Sequence, residues 1–313
     1  MTFTLRQLKY AVAVADCGSI TDASKQLGIS QPAISASIRE LEQEFGLTLF
    51  ARRPSRKVTL TPSGRRFIVG ARTLLGDAQR FENVVAGLGT ELSGTLPVGC
   101  FRPTAPFMMP LVYRRMREAH PEVRIRIHEA DLSDIARLLA EGTIDVALTY
   151  DMYLDRNLRF EPLVAVRPYV LLARDDPLAK KSAIRLKELT RKEMVTLDLP
   201  VTQDFFHGLF YAHGLQPNIG FRTKSYEMAR SLVGTGAYFA ILIMKPVNEQ
   251  SYDGSPLVCR PIADKVPTPN YGLAFPKTVE PTRLVTAFGE VCQHILREED
   301  LARIFYPRNG DAG

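Results

Sequence analysis

The stretch "CGSITDASKQLGISQPAISASIRELEQEF", residues 17–45, permits few folds because Gly18 and Gly28 interrupt it. Ser19 stands where a helix N-cap belongs, and "ITDASKQL" then runs to Gly28, which ends it. Ser30 caps a further helix with Pro32 in its first turn, where a missing N–H costs little. Along that helix Ile34, Ile38, Leu41 and Phe45 recur at spacings of four, three and four and make one apolar face. The other face carries Pro32, Ser35, Ala36 and Arg39, a thin surface of small groups with one long cation. Ahead of Gly18, Leu5, Leu8, Val12 and Ala15 predict a first amphipathic helix.

Two short helices joined by a Gly-containing turn read as a helix-turn-helix. In that motif the second helix enters the major groove of double-stranded DNA, its N-terminal residues against base edges. Ser30 and Gln31 form the tip here, and Gln31 can meet adenine bidentately or a phosphate. Ser35 is a short donor and acceptor, Ala36 and the Pro32 ring suit a thymine methyl, and Arg39 suits phosphate or guanine. Residues 52–66 then hold Arg52, Arg53, Arg56, Lys57, Arg65 and Arg66 with no acid among them. "RRPSRKVTLT" predicts a hairpin with Pro54-Ser55 at its tip and Lys57 to Thr61 as the return strand, a basic wing for DNA backbone or minor groove. Charge placement agrees: residues 1–66 carry ten Lys/Arg against five acids, in a chain whose net charge is +6.

From Thr61-Pro62 onward Phe67, Ala71, Leu74, Ala78, Phe81, Val85 and Leu88 step by four and three alternately. That a/d seam predicts a helix pairing with its twin in a homodimer, so the DNA target should be a pseudo-palindrome. Gly87, Gly89 and "ELSGTLP" break the helix and predict a hinge. Beyond Ser93, "TLPVGCF", "PFMMPLVYRRMREAH", "VRIRIHEA", "SDIARLLAEGT" and "IDVALTY" alternate strand with helix and argue for a parallel sheet covered by helices. A second set runs from "PYVLLA" to "YFAILI", and "NYGLAF" with the helix around "TRLVTAFGEVCQHIL" closes the chain.

The run "LRQLKYAVAVADCGSITDASKQLGISQPAISASIRELEQEFGLTLFARR…VTLTPSG" resembles the N-terminal domain of LysR-type transcriptional regulators over residues 4–64, almost without gaps. "SITDAS", "SQPAIS", "LE…FG…LF.R" and the closing "LT..G" fall in order. One departure is Ala36, where a basic residue often follows the serine, which shifts more of the grip to the wing arginines.

The resemblance implies an α/β chain with an N-terminal winged helix-turn-helix, a long linker helix, and a C-terminal two-lobed, Rossmann-like domain of the periplasmic-binding-protein type. It also implies the linker-helix dimer and a tetramer built as a pair of dimers. The expected division is 1–61, DNA binding; 62–92, linker and hinge; 93–306, effector binding; and 307–313, a tail. Within the effector domain, lobe I would be 93–166 plus 269–306 and lobe II 167–268, with crossings near Val166–Pro168 and Pro267–Tyr271.

Strand C-termini facing a cleft are where open α/β sheets bind ligands. Phe101, Arg102, Thr104, Ser133, Tyr150 and Asp151 from one lobe are therefore candidates for a small-molecule effector, with Asp198, Thr202, Phe205, Phe206, Ser225 and Tyr226 from the other. Helix starts at Thr104, Ser133, Thr202 and Ser225 would aim N–H groups inward as an anion site, and Arg102 would favour a carboxylate. Asp198 would instead favour an amine or hydroxyl.

Other function classes fare poorly. "GTGAYF" at 234–239 lacks the third glycine of a dinucleotide loop, and no GxSxG or P-loop sequence is present, so no enzyme is expected. Cys17, Cys100, Cys259 and Cys292 lack CxxC spacing and the five histidines lack HExxH, so neither metal nor cofactor is expected. A solute-binding transport component would match the lobes but not the basic N-terminus, and a DNA-bending architectural protein would leave the cleft unexplained. With no apolar run of membrane length and no secretory pattern at the start, the expected setting is the cytoplasm. The expected partners are promoter DNA, an effector, further copies of the chain and RNA polymerase.

Overall fold

The computed structural model describes residues 2–52, 58–86, 92–152 and 154–297. Capping sets the first helices. α1 (Leu5–Cys17) begins at Thr4, whose hydroxyl accepts from the Gln7 N–H while the Gln7 side chain accepts from the Thr4 N–H. α2 (Ile20–Leu27) begins at Ser19, whose hydroxyl accepts from the Asp22 N–H at 3.2 Å. Gly18 and Gly28 end these helices at φ 60° and 64°, a left-handed conformation that glycine adopts without steric cost. α3 (Gln31–Phe45) begins at Ser30, but its side chain makes no cap bond. Pro32 occupies the second helical position, so one of the N–H groups an N-cap normally serves does not exist.

Leu8, Ala11, Val14, Ile34, Ile38 and Leu41 pack with Leu49, Ile68 and Ala71 into an N-terminal core. Leu5, expected on the core face of α1, is exposed, and Val12 and Ala15 only flank the core. α1 packs against α3 and the long α4 (Pro62–Ala86) together, which centres its buried stripe on Ala11 and Val14. Phe45 is 40% exposed, yet its ring lies 5.5 Å from Phe3 and 5.2 Å from Phe67. β1 (Phe50–Arg52) and β2 (Val58–Leu60) pair antiparallel as the base of the hairpin, Phe50 opposite Leu60. Arg53, Arg56 and Lys57 lie outside the described residues, as does the side chain of Arg52.

The two halves of α4 differ. Ala71 is buried in the N-terminal core and Phe67 packs on it, so these two of the seven seam residues serve their own subunit. Leu74, Phe81 and Val85 are exposed, as is Val84, whereas Ala78 is half-buried. Leu88, Gly87 and Gly89 lie outside the described residues.

The rest of the chain builds two five-stranded sheets. The first comprises β3 (Gly94–Phe101), β4 (Val123–Ala130), β5 (Val146–Tyr150), β6 (Leu158–Ala165) and β12 (Asn270–Pro276), in the order β4-β3-β5-β12-β6. α5 (Ala105–Ala119) and α6 (Leu132–Ala140) make its crossovers, and α10 (Arg283–Arg297) packs against α5. The second comprises β7 (Tyr169–Ala173), β8 (Glu193–Leu197), β9 (Asn218–Thr223), β10 (Tyr238–Leu242) and β11 (Leu257–Pro261), in the order β11-β7-β10-β8-β9. α7 (Leu186–Leu189), α8 (Thr202–Tyr211) and α9 (Tyr226–Gly234) accompany it.

β3, β4 and β5 are parallel, and so are β8, β9 and β10. β12 runs against β5 and β6, and β7 against β10 and β11, so each sheet is mixed rather than purely parallel. β6 and β11 have no counterpart in the sequence reading. Both are edge strands containing a proline, Pro162 and Pro261, which an edge tolerates and an apolar pattern does not reveal.

The chain leaves the first sheet after Ala165 and returns to it at Asn270. The Val166 N–H donates to the Pro269 carbonyl at 2.9 Å, so the two connections run side by side. One apolar cluster continues across the facing sides of both sheets. α4 meets this half of the molecule at the α6–β5 turn, where a Cβ on Gly76 would stand 2.3 Å from the Gly142 carbonyl oxygen. Beside that contact Arg72 pairs with Asp16 of α1 and, at 3.1 Å, with Glu141, and Arg80 lies 3.6 Å from Asp145. Among the described residues no helix is long and apolar enough to cross a membrane, and no His/Cys/Asp/Glu cluster is arranged to hold a metal.

Candidate functional site

Two sites take shape, one on α3 and one between the sheets. On α3 the anchors Ile34, Ile38 and Leu41 point into the core, which turns Gln31, Pro32 and Arg39 outward and leaves Ser35 and Ala36 half-exposed. Ser30 at the tip is exposed. Gln31 is steadied from α2, its Oε1 accepting from the Thr21 hydroxyl at 3.3 Å. The hairpin is fixed beside α3 by Glu42, whose carboxylate accepts from the N–H groups of Leu49 (2.7 Å) and Phe50 (3.2 Å). The Val58 N–H donates to the Gly18 carbonyl at 2.9 Å and ties β2 to the turn between α1 and α2. Glu42 is a positioning residue that the sequence reading passed over; its signal was an acid facing the start of an otherwise basic segment.

Between the sheets, Phe101, Thr104 and Tyr150 at the ends of β3 and β5 face Thr202, Phe206 and Tyr226 of α8 and α9. Together with Pro103, Met152, Leu197 and residues 242–244 they line a narrow pocket with about 20 Å³ of free volume. Pro103 follows the first strand directly, but Met152, Leu197 and residues 242–244 were not anticipated, because strand-end and loop aliphatics are indistinguishable in sequence from ordinary core. Phe107 of α5 stacks edge-on with Tyr226 at 5.5 Å, an aromatic contact from one lobe to the other.

The other six candidates lie elsewhere. Arg102, half-exposed, pairs with Asp131 at 3.3 Å, and Asp131 rather than Ser133 is the N-cap of α6. Ser133 lines an adjoining cavity of about 220 Å³ that shares Tyr150 and Met152 with the pocket. Asp151 accepts from the Asn270 backbone N–H (2.9 Å) and side-chain amide (2.7 Å), which fastens the end of β5 to the returning chain. Phe205 packs edge-on against Phe206 instead of lining the pocket, and the Ser225 hydroxyl caps α9 by accepting from the Met228 N–H. Asp198 is not among the wall residues.

At two of the helix starts expected to hold an anion, the first N–H groups are engaged within their own turn. At α5 the N–H groups of Thr104, Ala105, Phe107 and Met108 already bind carbonyls of their own turn, and Pro106 has none. At α8 the N–H groups of Thr202 and Gln203 bind Pro200 and Leu199. The N-cap of α8 is Val201, at φ 67° and ψ −45°, a conformation that strains a β-branched residue. Burial raises the Tyr150, Tyr226 and Tyr271 phenols well above their ordinary range and pushes the Cys100 thiol beneath the pocket up to about 12. These groups therefore stay neutral at physiological pH.

Both halves of the chain match known families. Residues 5–65 match the family described as bacterial regulatory helix-turn-helix protein, lysR family, and residues 89–297 match the LysR substrate binding domain. The chain is 30% identical over 247 residues to the HTH-type transcriptional regulator CysB of Haemophilus influenzae, spanning 76% of this chain and 75% of that one. Two crystal structures of LysR family regulators from Pseudomonas aeruginosa are similar throughout. The PA01 protein is 35% identical with a TM-score of 0.64, covering 95% of this chain and 100% of that one. HinK is 35% identical with a TM-score of 0.62, covering 94% and 98%.

Proposed function

The chain belongs to the LysR family of bacterial transcriptional regulators, with a DNA-binding helix-turn-helix and a substrate-binding domain, and on that premise we propose how its residues divide the work. α3 enters the major groove of promoter DNA with Gln31, Pro32, Ser35 and Ala36 toward the bases and Ser30 and Arg39 toward the backbone. The hairpin lends Arg52, Arg53, Arg56 and Lys57 to backbone or minor groove. The observation that carries this reading is the split of α3 into a buried Ile34/Ile38/Leu41 face and an outward tip at Gln31 and Pro32.

Leu74, Ala78, Phe81 and Val85 pair α4 with the same helix of a second copy. The resulting two-fold reads a pseudo-palindromic site, and two dimers make the tetramer. The working division is residues 1–61 for DNA, 62–92 for pairing and hinge, and 93–306 for the effector, with 307–313 as a tail. Lobe I is 93–166 with 269–306, and lobe II is 167–268. An effector in the pocket of Phe101, Thr104, Tyr150, Thr202, Phe206 and Tyr226 shifts the angle between the lobes. The strip where α4 meets residues 141–145 passes that shift toward the DNA-binding domain. A ligand moves such an equilibrium only through its different affinity for the two arrangements, so both exist without it. RNA polymerase is the further partner, the setting is the cytoplasm, and no residue is assigned a catalytic step.

Titrating wild type and Gln31→Ala onto operator and random DNA tests the assignment. The substitution should cost about 1–3 kcal/mol on the operator and leave random DNA unaffected. Equal loss on both would remove Gln31 as a base reader.

A further inference from the structure

The wall of the interlobe pocket carries no charged side chain; it is built of aromatic and aliphatic residues with two threonines and two tyrosines. Two of its four side-chain hydroxyls are already engaged. The Tyr226 and Tyr169 hydroxyls both donate to the Met244 carbonyl, and Thr104 donates to the Phe101 carbonyl while accepting from Tyr271. Arg102, between the wall residues Phe101 and Pro103, turns to Asp131, the buried Arg230 behind Tyr226 is taken by Glu227 and by the Asn248 and Gln250 carbonyls, and the first-turn N–H groups of α5 are consumed locally. One buried polar atom on the wall lacks a partner: the Thr202 hydroxyl, on a residue 4% exposed. A buried hydroxyl without a partner is costly to keep, and an ionised group brought in without a counter-charge costs much more.

We propose that this pocket takes an uncharged, largely apolar molecule whose single polar group, a hydroxyl or carboxamide, completes the hydrogen bonding of Thr202. The proposal rests on the pocket being the effector site and specifies what enters it. Only about 20 Å³ is free between these side chains, so an occupant has to part the lobes as it enters, and Phe101, Tyr150, Phe206 and Tyr226 then offer it ring faces and edges. A carboxylate would meet neither a cation nor a free first-turn N–H of α5, the reverse of what Arg102 and the helix starts led the sequence to suggest.

Benzyl alcohol, benzamide, toluene and benzoate, added to the full-length protein, separate the possibilities. Binding is followed by thermal shift and calorimetry, and located by hydrogen exchange over residues 197–206 and 226–244. The alcohol and the amide should bind at least tenfold tighter than benzoate and protect those segments. Thr202→Val, which keeps the shape and removes the hydroxyl, should weaken the alcohol about fivefold or more relative to toluene. Benzoate binding as tightly as the amide while protecting the same segments would overturn the ligand class but leave the pocket as the effector site. Neutral probes protecting a different region would overturn the pocket itself. An unchanged alcohol-to-toluene ratio in Thr202→Val, or no binding by either neutral polar probe, would also overturn the proposal.

Discussion

The recognition helix and the interlobe pocket use burial in opposite ways. On α3 the side chains proposed to meet DNA are exposed or half-exposed, and the scaffold of Ile34, Ile38 and Leu41 lies behind them. In the pocket Phe101, Thr104, Tyr150, Thr202 and Phe206 are wall and core at once. Function and stability are therefore separable on α3 and inseparable in the pocket. One surface can change its base preference by single substitutions, whereas the other must keep its packing as it changes ligand.

The sharpest way to break this contrast is to truncate each site and measure denaturant unfolding. Phe206→Ala, at a residue 2% exposed, should cost about 3–5 kcal/mol along with ligand binding. Gln31→Ala should stay within about 0.5 kcal/mol of wild type. A pocket that tolerates Phe206→Ala would not be core, and the distinction would fall.

Asp145 probes the strip that joins the two regions. Burial pushes its carboxyl up to about 6 despite Arg80, and its Oδ2 has no partner. Between its ordinary value of 3.8 and about 6 the folded protein holds a proton that the unfolded chain has released, so stability falls as pH rises through that interval. Asp145→Asn should remove this slope, gaining up to about 3 kcal/mol at pH 7 and little at pH 4. An unchanged pH profile would show that Asp145 titrates normally.

Smaller effects are expected on the exposed side. Phe81, 69% exposed on α4, should tolerate Glu within about 0.5 kcal/mol of folding stability while self-association weakens about tenfold or more in sedimentation. Undiminished association would remove Phe81 from the seam. The two serine caps complete the series. Ser19→Ala should cost about 1 kcal/mol, because its hydroxyl accepts from Asp22. Ser30→Ala should cost close to nothing, because it makes no cap bond. Equal costs would mean that Ser30 caps α3 in solution.

The N-terminal domain was largely legible because its determinants are local. Glycine stops, serine starts and a four-three apolar rhythm act within one or two turns, and α2 and α3 fall where those signals put them. The pocket was half legible. Strand ends pointed to Phe101, Thr104 and Tyr150, and helix starts to Thr202 and Tyr226, but Arg102 and Asp151 were lost to partners far along the chain. Asp131 takes the first, and Asn270, remote in sequence, takes the second. The seam failed at Phe67 and Ala71 for a related reason: a 3.5-residue rhythm reports that a face is apolar, not which neighbour covers it.

By itself, then, the sequence determined the helix-turn-helix, the basic hairpin, the linker helix and the alternation of strand and helix, all encoded by spacing along the chain. Only the tertiary structure decided that the sheets are mixed, that Gly76 and Gly142 bring α4 against the α6–β5 turn, and that the pocket is uncharged. Those outcomes depend on which distant groups meet. A strand's direction, an arginine's partner and a helix N–H's acceptor are settled by three-dimensional competition, which spacing along a single chain does not record.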